Sequence, residues 1–117
     1  MAVRHYQELI VWQRAMDLTM EVYDITDEFP RDELFGLTSQ VRRATVSIPS
    51  NIAEGQGRGP GAEFAHHLRI SQGSLQEAET QLIIAQRRRY VPSERVDRVL
   101  SLADEVSRLN RRLQQSL

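Results

Sequence analysis

Phe64, Leu68, Ser71, Leu75, Ala78, Leu82 and Ala85 alternate steps of four and three residues without interruption. Only an α-helix returns side chains to one face at a mean spacing near 3.5 residues, so this run is a heptad seam that must be buried against other helices. It predicts a helix from about Gly61 to Arg89. Tyr90-Val91-Pro92 breaks it, because proline disfavours helical geometry in the residue before it. Ser93 then stands where a side chain caps a new helix, whose stripe is Val96, Val99, Ala103, Val106, Asn110, Leu113 and Leu117. Asn110 is the polar member of that stripe, placed to fix register or to face a wet end.

The first half has the same period. A helix from about Gln7 to Glu28 carries two adjacent apolar or small stripes, Trp12, Met16, Thr19, Tyr23, Thr26 and Val11, Ala15, Leu18, Val22, Ile25, Phe29. Together they are wider than one core seam requires. Pro30 ends this helix, and Arg31 to Gly36 forms a turn. The next helix begins near Leu37 and runs through Val41, Ala44, Ile48 and Ile52 to Gly55, where a left-handed glycine closes it, with Gln56 to Pro60 as the loop. Pro49 inside it removes a hydrogen bond to the Thr45 carbonyl and predicts a kink, with the Ser47 and Ser50 hydroxyls near the freed group. Strand patterns, repeats and low-complexity tracts are absent. Four amphipathic helices with short connections predict an all-α, antiparallel up-down-up-down four-helix bundle, with residues 1–117 as one domain.

Composition narrows the function. The chain has no cysteine, which removes disulfides, thiolate catalysis and cysteine metal sites and fits a reducing compartment. The opening MAVRHYQELIVWQR holds only a short apolar run interrupted by charge, so neither a secretion signal nor a membrane span is expected, and the predicted location is cytoplasmic. The net charge of -1 does not give the positive field of non-specific nucleic-acid binders. All fifteen basic residues are arginine. In the predicted topology Arg31, Arg42, Arg43, Arg87, Arg88, Arg89, Arg95 and Arg98 gather at one end with Asp24, Asp27, Glu28, Asp32, Glu33, Glu94 and Asp97, an interleaved and solvated surface.

No motif points to catalysis or to a cofactor. GQGRGPG lacks the preceding strand and the full spacing of a dinucleotide loop. Glu63 and His67 share a helix face, but adjacent His66 points elsewhere and no third metal ligand follows at a convincing spacing. Serines and histidines occur without a nucleophile elbow. Asn51 and Glu54 lie beside the apolar Ile52, which predicts a buried polar network in which Arg43, Arg58 or Arg69 pairs with Glu54.

The stretches LIVWQRAMDLTMEVYDITDEFP, ELFGLTSQVRRATVSIPSNIAEGQGR and EFAHHLRISQGSLQEAETQL resemble the four-helix bundle proteins also called 23S rRNA-intervening-sequence proteins, over nearly the whole chain. The motif falls on Arg42, Arg43, Ser47, Pro49, Asn51, Glu54, Gly55, Gly57 and Arg58. The resemblance implies a four-helix fold, the ring-shaped homopentamer of characterised relatives, a family whose genes were first noticed inside insertions in bacterial large-subunit rRNA genes, and no established enzyme activity. A similar bundle is the basic accessory protein of diversity-generating retroelements, which contacts nucleic acid and a reverse transcriptase. This chain departs from the pattern at His67, where an aromatic is expected, and at Ser71, where alanine is expected. Its acidic balance also differs from the basic accessory protein. The expected function is a non-enzymatic homo-oligomeric scaffold without cofactor. Its candidate partners are RNA, a ribosomal particle or a nucleic-acid enzyme, bound weakly through Arg87, Arg88 and Arg89. The alternative is a protein-binding module unrelated to nucleic acid.

Overall fold

The computed structural model describes residues 5–117. The described residues are helical and contain no strand. A short α1 (His5–Glu8) leads into α2 (Ile10–Thr26); a 3-10 turn (Arg31–Glu33) precedes α3 (Leu37–Gly57); α4 (Ala62–Arg87) and α5 (Ser93–Gln115) complete the order. Helix α2 packs on α3 and α5, and α4 packs on the same two helices. The heptad seam predicted on α4 is buried at every position from Phe64 to Ala85. It meets Leu18, Val22 and Ile25 of α2, Val41, Ile48 and Ile52 of α3, and Val96 and Val106 of α5 in one hydrophobic cluster. Full burial of each such aliphatic side chain contributes about 1.5–3 kcal/mol.

Several polar side chains enter this core with their hydrogen bonds made, whereas the buried Gln81 leaves its Oε1 without a partner among the described residues. The buried hydroxyls of Thr19, Thr26 and Thr45 donate to the carbonyls of Ala15, Val22 and Val41 at 2.8, 2.6 and 2.7 Å. Each threonine thereby satisfies its own donor within one helical turn and leaves its methyl group for packing. Asn110 is 0% exposed, so it does not face a wet end. Its Nδ2 donates to the Leu68 carbonyl at 3.1 Å, and its Oδ1 accepts from Gln114 Nε2 at 2.9 Å. That bond pins the register of α5 on α4, since a slip of either helix strands a buried amide.

Several boundaries differ from those expected. The first helix is divided at Leu9, whose ψ of 126° is extended, and ends at Thr26. The break lets the Tyr6 ring meet Trp12 edge-on at 5.4 Å and lets Leu9 pack on the core. Tertiary contact thus overrides an unbroken local pattern. Helix α3 does not stop at Gly55. It continues to Gly57 with Gly55 buried inside it, and the left-handed residues are Gly59 and Gly61 in the following loop. Pro49 is accommodated within the continuous α3. Among the described residues neither Ser47 nor Ser50 donates to Thr45; the Ser47 hydroxyl meets Ser74 instead.

Helix α4 ends at Arg87, and Arg89 adopts φ 60°. Tyr90 N–H donates to the Ala85 carbonyl and Arg89 N–H to the Gln86 carbonyl, both at 3.0 Å, a Schellman closure with arginine where glycine is usual. Ser93 is the first residue of α5 and makes no capping bond; its hydroxyl accepts from Gln86 Nε2 at 2.9 Å.

Candidate functional site

The motif residues divide between a polar seam, an exposed pair and the rim of an apolar groove. The seam joins α3 to α4. Asn51 Nδ2 donates to both the carbonyl and the hydroxyl of Ser47 at 2.9 Å, and Ser47 Oγ lies 2.8 Å from Ser74 Oγ. Asn51 Oδ1 meets His67 Nδ1 at 3.0 Å. One turn deeper, Ser71, 0% exposed, donates to the Ile48 carbonyl at 3.0 Å. His67 and Ser71, the two departures from the family pattern, therefore both bond across the same seam. Gly55 lies opposite His67 and Phe64: a Cβ built on it would stand 2.5 Å from His67 Cβ and 3.1 Å from Phe64 Cδ1. A hydrogen at that position is what allows the two helices to approach here.

The buried network expected around Glu54 is corrected in one member. Glu54 pairs with Arg58, one of the three anticipated arginines, at 2.9 Å, yet their side chains are 53% and 50% exposed. Both project from the outer side of α3's last turn, four residues apart, so water solvates the pair. Gly57 has open space beyond its Cα. Among the described residues no three histidine, cysteine or acidic side chains gather where a metal ion could be held.

The groove lies between α2 and α3. Tyr23, Leu34, Phe35, Thr38, Arg42 and Val46 line its upper part, and Trp12, Met16, Thr19, Val46, Pro49 and Ala53 its lower part. The first of the two stripes predicted on the opening helix forms one wall, with Trp12 and Met16 half-buried and Tyr23 exposed, while the second stripe fills the core. Phe35 is 92% exposed and Leu34 48%. Their residues were expected only as a turn; the available signal was an adjacent apolar pair within RDELFG, a segment otherwise polar.

Arg42 and Arg43, adjacent in the motif, have different roles. Arg42 is half-buried, donates to Thr26 Oγ1 at 2.8 Å and to Asp27 Oδ1 at 2.9 Å, and stacks its guanidinium 4.7 Å from the centre of the Tyr23 ring. Arg43 is exposed and has no ion pair among the described residues. At the nearby end of the molecule Arg95 pairs with Glu28, and Arg88 lies 5.9 Å over the Tyr90 ring. Arg87 and Arg89 are exposed and make no ion pair among the described residues.

Glu33 ties this end together. Its Oε2 accepts from the Tyr90 hydroxyl at 2.6 Å and its Oε1 from the Leu37 backbone N–H at 3.0 Å. The Tyr90 bond first, and the backbone bond second, hold its carboxyl below the usual glutamate range. Glu79, on the flank of α4, is shifted upward by burial and by the neighbouring Asp104.

No helix among the described residues is long and apolar enough to cross a membrane. No curated protein matches the chain. A crystal structure of a protein of unknown function from the S23 ribosomal protein family of Bacteroides thetaiotaomicron is similar in fold, with a TM-score of 0.83 at 20% identity, covering 91% of this chain and 96% of that one. The family model described as 23S rRNA-intervening sequence protein matches residues 7–112. With the helical fold and the motif residues placed on α3, this match means that the chain belongs to the 23S rRNA-intervening sequence protein family.

Proposed function

We propose that this protein is a non-enzymatic scaffold that assembles with copies of itself through the face formed by α2 and α3. The carrying observation is the apolar strip along that face, where Met20, Tyr23, Leu34, Phe35 and Val46 are all exposed. A chain of 117 residues that leaves so much contiguous apolar surface in water gains by covering it. The motif's Ser47 and Asn51 are bonded to each other and to Ser74 and His67 across the α3–α4 seam, as expected for packing rather than turnover.

The proposed architecture is the antiparallel up-down-up-down bundle. Supporting it, Thr26 meets Arg42, Ser47 meets Ser74 and Gln86 meets Ser93 between consecutive helices, and Glu28, just past the end of α2, meets Arg95 at the start of α5. Family resemblance supplies a closed ring of five as the stoichiometry, and the residues of the opening segment, without an apolar run long enough for a signal or span, favour a cytoplasmic setting. Light scattering during gel filtration at micromolar concentration tests this: the expected mass is about 67 kDa, five times the chain mass of 13.5 kDa. A stable species at the single-chain mass overturns self-association.

RNA is the second, weaker partner in this reading. It is favoured by Arg87 and Arg89, which are exposed beside Arg88 at the end of α4 and make no ion pair among the described residues. The net charge of -1 keeps such binding weak and salt-sensitive.

A further inference from the structure

The groove between α2 and α3 has two apolar hollows that meet at Val46. Arg42 and Arg43 are the charged side chains lining them, and no carboxylate is present. Asp27 already pairs with Arg42, whereas Arg43 is exposed without an ion pair among the described residues. An occupant that satisfies this groove must therefore bring apolar side chains together with an acid.

The chain itself presents a surface of that composition on α4. Ile70, Glu77 and Ile84 follow one another at heptad spacing, and the two isoleucines are 39% and 45% exposed. Gly73, between Ile70 and Glu77, has nothing within 4 Å of a built Cβ, which leaves room for a close approach of backbone. From Ile70 to Ile84 the ridge spans about 21 Å at the helical rise, and the α3 wall from Thr38 to Ala53 spans about 22 Å, so the ridge fits within the groove. The occupant is unlike the groove it enters, and both belong to one chain.

Resting on the self-association reading above, we propose that the α4 ridge of one copy seats in the α2–α3 groove of the next, with Glu77 facing Arg43. The contact is heterologous, so each copy uses its groove toward one neighbour and its ridge toward the other. Groove-to-groove pairing is disfavoured by charge. Arg43 lies about one turn from Val46, where the two hollows meet, and a two-fold axis there would bring together two guanidinium groups that make no ion pair among the described residues, with no carboxylate lining either hollow.

Within one copy, Glu77 and Arg43 line a shared shallow hollow without forming an ion pair, so a charge swap can re-pair inside the chain. A mixing experiment avoids this. One variant blocks the groove, Phe35→Glu with Val46→Glu; the other blocks the ridge, Ile70→Glu with Ile84→Glu. Every substituted side chain is exposed. Light scattering at micromolar concentration should find each variant alone at the chain mass of 13.5 kDa and their equal mixture at twice that mass. One intact groove then meets one intact ridge, and no further contact remains.

A mixture that stays at the chain mass overturns the heterologous pairing. Either variant retaining the wild-type mass removes its surface from the interface and overturns the proposal while leaving self-association in place. A wild-type chain that is itself monomeric overturns both. Helical circular dichroism and a cooperative melt verify folding. Should a double glutamate variant fail them, Phe35→Ser and Ile84→Ser replace it, with the expected result a tenfold or greater weakening of assembly by each and a mixed dimer on combination.

Discussion

His67 Nδ1 stands 3.0 Å from Asn51 Oδ1, joining one of the two α4 residues that depart from the family pattern to the asparagine of the α3 motif. Asn51 is also bonded to Ser47, which meets Ser74, so the whole chain of bonds holds α3 against α4. Such a network fixes relative helix position because displacing one member unpairs several half-buried groups at once.

Asn51→Ala should cost about 1–3 kcal/mol, the scale for leaving hydrogen-bonding partners unmatched in a seam. Glu54→Ala, in contrast, should cost less than about 0.5 kcal/mol, because its pair with Arg58 is solvated on both sides. Denaturant melts of both variants at matched protein concentration measure the difference. Equal losses would contradict the division between seam and surface.

Two glycines of α3 should respond in opposite directions to alanine. Gly55→Ala pushes a methyl group into His67 and Phe64 and should destabilise by about 1–3 kcal/mol, as overpacking does. Gly57→Ala meets open space in the last helical turn and should be neutral or stabilising by up to about 1 kcal/mol through the unfolded state. Thermal melts of the two variants give the signs directly.

Arg89→Gly should stabilise the chain by up to about 1 kcal/mol, since φ 60° at the end of α4 is strained for a side chain with a Cβ and free for glycine. The same arginine belongs to the proposed RNA contact. Replacing Arg87, Arg88 and Arg89 together with glutamine should abolish binding of an rRNA fragment in a salt-titrated shift assay. High-affinity binding that survives both the substitutions and added salt would place any RNA surface elsewhere.

The Glu33–Tyr90 bond predicts a pH dependence. Glu33 has a folded-state pKa below its unfolded value, so its contribution is present above the unfolded value, about 4.3, and is lost as pH falls through the lower folded value. Tyr90→Phe removes the largest cause of that shift. Wild type should therefore exceed the variant in melting temperature by a constant margin above about pH 5, and the margin should shrink below about pH 4 as the carboxylate is protonated in both. A margin independent of pH would show that the hydroxyl contributes only as a neutral hydrogen-bonding group.

Glu79 has the opposite sign. Burial and Asp104 raise its folded-state pKa, so the charged form disfavours folding, and the penalty grows as pH rises through that raised value. Glu79→Gln should raise the melting temperature at pH 7 relative to pH 4. No gain at neutral pH would indicate that Arg111, which acts in the other direction, dominates the site.

The periodic core was legible in the residues themselves. The α4 seam from Phe64 to Ala85 and the second stripe of α2 are buried as spaced, because a helix of fixed pitch leaves few ways to cover such a stripe. Asn110 was legible as an anomaly, and Arg58 as a partner for Glu54. The break at Leu9 was not, since it depends on Tyr6 reaching Trp12, nor was the burial of Gly55, which a local rule assigns to a helix end but which packing against His67 and Phe64 places inside one. The exposure of Glu54 and of Phe35 also had to come from the tertiary structure. Sequence spacing determines which residues share a helix face, whereas the rotation of that face toward a neighbour or toward water is decided by how all four long helices pack at once.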